Sequence, residues 1–322
     1  MLFIFVMPSI SDVENLPGFS AIDALAVLNG DRNGSSIQIT ESYFEAQRRS
    51  IDELAPVDGL EDRLGIIQRS RSVWNNISVD FDSLTEDALG EASTKLNEIL
   101  QQLPEAQYLQ QHFPGTSFIV PEWLRTEVEI KFGARVYFFG SDGPEPEEIV
   151  RKNIKSVMAD DDEFTQYQGR LHGYPECCTE YFANWGSTSD PPEVNSVTPI
   201  EKHVNDEVVD EIDISVSLGE VMSDFFGEPH SYAFFAHEFY PEPECDVARR
   251  KGVAIYDSLT ELLPENIVRD YFRVNFCWSY LMARDVESHT GSSSSKRLGR
   301  EQFLMHLPLR LLVGQQEYAS VS

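Results

Sequence analysis

The chain has 322 residues, 41% of them hydrophobic and 11% aromatic, enough to bury one large or two modest cores and to exclude wholesale disorder. Acidic residues outnumber basic ones 54 to 25, a formal charge of −29 spread along the whole length. Phosphate neutralisation needs a basic stripe, and the longest basic clusters are Arg249-Arg250-Lys251 and Lys296-Arg297, so no nucleic acid is expected as a partner.

The opening Met1-Leu2-Phe3-Ile4-Phe5-Val6-Met7 is apolar but lacks a basic flank and is too short for a signal peptide or membrane span. It reads either as a buried first strand or as residues ahead of a true start at Met7. No later stretch approaches about 18 apolar residues, so no membrane is expected as a partner.

A turn at Asn29–Ser36 precedes helical periodicity from Glu41 to Leu54, with Thr40 as N-cap, and a second helix from Leu60 to Trp74 after the Pro56–Gly59 break. A third helix spans Thr85–Leu103, capped by Ser83 or Thr85 and closed by Pro104. Three runs rich in β-branched and aromatic residues follow, Ser117–Val120, Glu127–Phe132 and Arg135–Phe139, with Gly133 at a bulge or tight turn. Glu147–Ala159 reads as a helix, Ser187–Val208 as an exposed loop, Leu218–Phe226 as a short helix and Ser231–Tyr240 as an aromatic, strand-like run. Helices over Pro243–Leu263 and Pro264–Ser288, a joint at Ser292–Ser295 and an apolar tail at His306–Val313 complete the chain.

The fold class expected is therefore α+β, helix-dominated, with a short mainly antiparallel sheet. Composition divides the chain into a mainly helical region at 1–115, an α+β region at 116–290 carrying the Cys/His segments, and a flexible joint with the C-terminal tail at 291–322.

Three of the four cysteines fall in two segments of similar build, Tyr174-Pro175-Glu176-Cys177-Cys178 and Tyr240-Pro241-Glu242-Pro243-Glu244-Cys245. Proline suits the first helical position and glutamate the positive end of the helix dipole. Both segments thus read as helix starts that present sulfur, where unpaired N–H groups lower a thiol pKa. His172 and His237 lie just upstream of the two segments.

Three readings stay open. Cys177, Cys178 and Cys245, with His172 and His237, would hold a metal ion, zinc among the possible ones, if the two helix starts converge. Alternatively one cysteine is a nucleophilic or redox thiol. In the third reading the cysteines are small buried hydrophobes of a non-enzymatic regulatory or interaction protein, and the apolar helical spacing of Cys178, Phe182 and Trp185 favours that for Cys178. Tyr174, Tyr240 and His230 would line the pocket. His230 and His237 would face opposite sides if their run is extended. Cys277, in Val274-Asn275-Phe276-Cys277-Trp278, reads as core. Four cysteines in a chain of this length are no disulfide framework, so a reducing cytoplasm is expected. No phosphate loop, dinucleotide fingerprint, nucleophile elbow or His-Glu-x-x-His motif occurs, and the reaction, substrate and catalytic residues are not named by the sequence.

The stretch from Gln168 to Phe182 carries Gly173-Tyr174-Pro175-Glu176-Cys177-Cys178-Thr179-Glu180-Tyr181-Phe182. It resembles an archaeal, and specifically haloarchaeal, protein family of unknown function with a Gly-Tyr-Pro-x-Cys-Cys-x-x-x-Phe signature and a later His/Pro/Cys element, here His237 through Ala248. The resemblance implies a cytoplasmic archaeal protein and no particular activity. Where related signatures place an extra cysteine beside the second proline this chain has Glu242 and Glu244, so a four-cysteine iron–sulfur set is not implied. The acidic excess fits the same picture, because molar salt shortens the screening length to roughly 3 Å and makes surface repulsion tolerable.

Overall fold

A computed structural model of the chain describes residues 10–39, 65, 68–70, 72–73, 76, 84–125, 130–141, 143–184, 192–201, 229–237, 239–288, 305 and 308–319. In chain order the elements are α1 (Ile10–Val13), α2 (Gly18–Leu28), β1 (Gly34–Ile39), α3 (Glu86–Leu100), α4 (Pro104–His112), β2 (Ser117–Arg125) and β3 (Ile130–Phe139). They continue with α5 (Pro146–Ala159), α6 (Glu163–His172), α7 (Glu176–Ala183), α8 (Pro192–Glu201), a 3₁₀ turn (Pro229–Ala233), α9 (Asp246–Thr260), α10 (Glu265–Ser288) and α11 (Leu309–Ala319). The fold is α+β and helix-dominated. Among the described residues no helix is long and apolar enough to cross a membrane.

Two compact units divide the chain, one formed by Met1–Arg32 with Gly173–Ser322, the other by Asn33–His172.

In the Asn33–His172 unit the sheet order is β1-β3-β2, with both pairs antiparallel. β3 runs unbroken through Gly133, which pairs with Glu122, so the expected bulge or turn there is an ordinary strand position. β1 is the strand that periodicity missed, its six residues being too few and too polar to stand out. One sheet face places Trp123 and Ile130 against Leu89, Ala92 and Leu96 of α3 and Ile154 and Val157 of α5. Val120, Tyr137 and Phe139 pack instead with Ile149 and Phe164. Thr85 caps α3 as expected, its hydroxyl accepting from the Ala88 N–H at 3.1 Å.

β2 is an edge strand, which is where its mid-strand Pro121 is tolerated. Its free backbone edge is met by one buried side chain. The Trp123 N–H donates to Asn153 Oδ1 at 2.8 Å, Asn153 Nδ2 donates to the Trp123 carbonyl at 3.0 Å, and Trp123 Nε1 donates to Ser93 Oγ at 2.7 Å. Asn153→Ala is expected to cost about 2 kcal/mol in chemical denaturation, since it strands two buried backbone groups; an unchanged midpoint would show that this pairing contributes nothing.

In the other unit α2 is buried along nearly its whole length, and Tyr271, Phe272 and Phe276 of α10 supply much of the aromatic core with Phe234 and Phe235. At its centre lies an ion pair between Arg32 Nη1 and Asp23 Oδ1, whose side chains are 1% and 2% exposed. The Tyr271 hydroxyl also donates to Asp23 Oδ1.

Several local expectations need correction. The Ser231–Tyr240 run is a 3₁₀ turn followed by irregular chain, not a strand, so an opposite-face argument for His230 and His237 does not apply. α2 and α6 were not foreseen, and α8 occupies part of the expected 187–208 loop. Pro104 both closes α3 and opens α4 at the first helical position. The tail expected at 306–313 is helical from Leu309 to Ala319. The helix expected at 41–54, that at 218–226 and the joint at 292–295 lie outside the described residues, as does most of the helix at 60–74, whose described residues 65, 68–70, 72 and 73 are helical.

Candidate metal centre

The first cysteine pair owes its position to the Gly173-Tyr174-Pro175 entry into α7. Gly173 adopts φ 69°, a left-handed conformation open to glycine at little cost. Pro175, at φ −54° and ψ 132°, is the N-cap residue, with Glu176 the first helical one. The proline thus sits one position earlier than the sequence pattern placed it. Cys177 and Cys178 still fall in the first turn, and Glu176 complements the positive helix end.

The second segment is built differently. Pro243 and Glu244 form a turn, Glu244 taking φ 58°, with the Cys245 N–H donating to the Glu242 carbonyl at 3.1 Å. α9 begins only at Asp246, so Cys245 is its N-cap residue, where sequence reading started the helix at Pro243. The left-handed residue breaks the helical course that proline alone would have permitted. Cys245 therefore stands just outside its helix, while Cys177 stands just inside the other.

The two helix starts converge. Cys177 Sγ lies 3.4 Å from Cys245 Sγ and 4.0 Å from Cys178 Sγ, and all three sulfurs fall within 4.8 Å of one another. The Glu242 backbone N–H donates to Cys178 Sγ at 3.4 Å. Cys178 is buried, Cys177 and Cys245 half-buried, and all three are reduced. Among the described residues these three cysteines are placed to hold a metal ion.

Helix starts alone would lower a thiol pKa, and the direction is the opposite for Cys177 and Cys178. Burial pushes the Cys177 thiol up, reinforced by its hydrogen bond to Cys245 and the nearby charge that Cys245 would carry. Burial likewise pushes Cys178 well up, and the Glu242 N–H offsets only part of this. Three sulfurs crowded together cannot all ionise cheaply in the absence of a cation.

The other residues singled out by sequence are distributed as follows. His237 lies in the same unit as the cysteines, with its ring stacked on Phe19 at 4.5 Å, and is not part of the three-sulfur set. His172 is the last residue of α6 in the other unit, buried, its ring 6.2 Å from that of Tyr137. His230 is part of the 3₁₀ turn by its backbone. Tyr174 packs against Phe239 at 4.4 Å and Phe235 at 6.1 Å, and its hydroxyl accepts from Arg32 Nη2 at 3.4 Å. Tyr240 stacks on Phe182 at 6.2 Å.

Sequence reasoning missed two backbone roles. Lys251, one turn and a half into α9, donates from Nζ to the Gly173 carbonyl at 2.6 Å, tying the α7 entry to the helix that Cys245 caps. Burial, followed by the Arg32 charge, lowers the Lys251 pKa. The Glu242 N–H to sulfur bond is the other. Neither leaves a motif, because any residue could supply that amide and any lysine at the right helical turn could reach that carbonyl. Comparison of the chain with protein-family models, with curated proteins and with solved structures gives no match.

Proposed function

We propose that this protein is a metal-thiolate protein in which Cys177, Cys178 and Cys245 ligate one soft or borderline ion, zinc being the first candidate. The single observation behind this reading is the meeting of three sulfurs, 68 residues apart in sequence at the widest, within 4.8 Å. Tetrahedral zinc with Zn–S bonds near 2.3 Å separates its sulfurs by about 3.8 Å, between the 3.4 and 4.0 Å contacts found here. Among the described residues three sulfurs are placed to hold the ion, so a tetrahedral site would take its fourth ligand from outside them, a further residue of the chain or an external group.

Two features of the surroundings suit a thiolate cluster. The Glu242 N–H aimed at Cys178 Sγ is the kind of outer hydrogen bond that orients a ligating sulfur. The upward push on Cys177 and Cys178 is the strain that a cation relieves, since metal binding displaces the thiol protons. Affinity is accordingly expected to fall as pH is lowered, because protons and metal compete for the same sulfurs.

The test is metal analysis of protein purified in molar salt, which screens the −29 charge, after loading with Zn(II) or Co(II). About one equivalent in the unmodified chain, absent from both Cys177→Ser and Cys245→Ser, is expected, with sulfur-to-cobalt charge-transfer absorption in the Co(II) form. No metal in any sample, or full occupancy in either variant, would overturn the reading.

A further inference from the structure

We infer that Cys177 and Cys245 are also a redox pair, joined as a disulfide by a two-electron oxidant, and that the disulfide and the bound metal exclude one another. The exclusion rests on the metal reading above; the pairing does not. Its basis is that three thiols meet with unequal separations. Cys177 to Cys245 is 3.4 Å, against 4.0 Å for Cys177 to Cys178. A disulfide has its sulfurs about 2.05 Å apart, so the first pair need approach by only about 1.4 Å, within reach of side-chain rotation.

The competing pairings are disfavoured for separate reasons. Cys177 and Cys178 are consecutive residues of the first turn of α7, and joining neighbours closes a strained ring incompatible with that helical backbone. Cys178 is 1% exposed and its sulfur accepts the Glu242 N–H, which holds it back from solvent oxidants and fixes its direction. Cys177 and Cys245 are half-buried, so one of them can meet a small hydroperoxide.

The chemistry balances without any group from the protein beyond the thiols. The Cys177 sulfur gives up its thiol proton as it attacks one peroxide oxygen, the O–O bond breaks, and the leaving oxygen takes that proton and departs as water or alcohol, leaving Cys177–SOH. The Cys245 sulfur then attacks that sulfur, the S–O bond breaks, and water leaves with the Cys245 proton. Two thiols are oxidised and one hydroperoxide is reduced. Of three sulfur ligands one thiol remains, too few to retain the ion. Conversely, a bound ion ties up the lone pairs that the first step needs.

The experiment treats the full chain, metal-free and Zn(II)-loaded, with hydrogen peroxide, and follows non-reducing gel mobility and tryptic mapping. Cleavage after Arg170, Lys202 and Arg249 isolates peptide 171–202, holding Cys177 and Cys178, from peptide 203–249, holding Cys245. The expected result is a cross-link between these peptides in the metal-free chain, retained in Cys178→Ser and lost in Cys177→Ser. With zinc at about 100 times its Kd the cross-linking rate should fall roughly a hundredfold, since only the metal-free fraction reacts. Failure to cross-link, or a cross-link that survives Cys177→Ser and vanishes in Cys178→Ser, overturns the pairing even if the chain binds zinc stoichiometrically. Equal rates in metal-free and loaded protein overturn the exclusion. Cross-linking in a chain that takes up no zinc supports the pairing and defeats the metal reading.

Discussion

Gly252→Ala should unfold the unit that carries the cysteines, although alanine is by itself the better helix former by about 1 kcal/mol. Gly252 is buried in the middle of α9. A Cβ placed there would lie 1.7 Å from the Tyr232 carbonyl oxygen and 2.6 Å from its carbon. Both are backbone atoms of the 3₁₀ turn, so no side-chain rotation can relieve the clash and helix and turn must separate. Tyr232 is in turn held between Tyr256, with ring centroids 5.3 Å apart, and Phe272 at 6.2 Å, so that separation opens an aromatic cluster. The expected loss exceeds the usual 1–3 kcal/mol of overpacking and reaches about 4 kcal/mol or more. Since Cys245 caps α9, thiol-dependent metal uptake should decline with the fold. Val247→Ala, on the same helix but 48% exposed, is the control and should leave the denaturation midpoint nearly unchanged. A Gly252→Ala protein as stable as that control would mean that the backbones do not touch.

The second large effect is expected at Asp23. Its carboxylate accepts from both Arg32 and the Tyr271 hydroxyl. Burial raises the Tyr271 pKa well above its usual value, with the Asp23 charge adding to the push, so the phenol stays a donor. Asp23→Ala leaves the Arg32 guanidinium, 1% exposed, without its counter-charge. Breaking a buried pair from one side costs about 3–5 kcal/mol. The double change Asp23→Leu with Arg32→Met should recover most of this, because it removes both charges and keeps the volume. Chemical denaturation of the single and double variants reads the difference directly. If Asp23→Ala loses less than about 1 kcal/mol, the pair is an incidental contact rather than a pillar of the core.

The same arginine donates to the Tyr174 hydroxyl at 3.4 Å and lies 5.6 Å from its ring centroid. Tyr174 leads directly into the α7 start that positions Cys177 and Cys178. Damage at Asp23 is therefore expected to reach the sulfur cluster through Arg32 and Tyr174, as reduced metal occupancy beside the reduced stability.

Local pattern specified several elements, though not α2 or α6. Thr85, one of the two cap candidates, does cap α3, the helix read over Glu147–Ala159 is α5, and the one read over Pro264–Ser288 is α10 almost to the residue. The existence of two cysteine-bearing helix starts was likewise legible, because proline and glutamate act over one turn. Where a single backbone torsion intervened, pattern failed: Glu244 at φ 58° delays α9 and makes Cys245 a cap residue. The aromatic residues 231–240 look like a strand by composition, yet they are shaped by packing against α9 and α10. Whether Cys245 would meet Cys177 across 68 residues belongs to no local rule, since convergence depends on how α7 and α9 pack. The amino-acid order alone thus pointed to cysteine as the candidate ligand type and to the helix-dominated α+β class. Tertiary structure alone brought three sulfurs together, left His237 on Phe19, and set the thiol pKa directions through burial and mutual proximity.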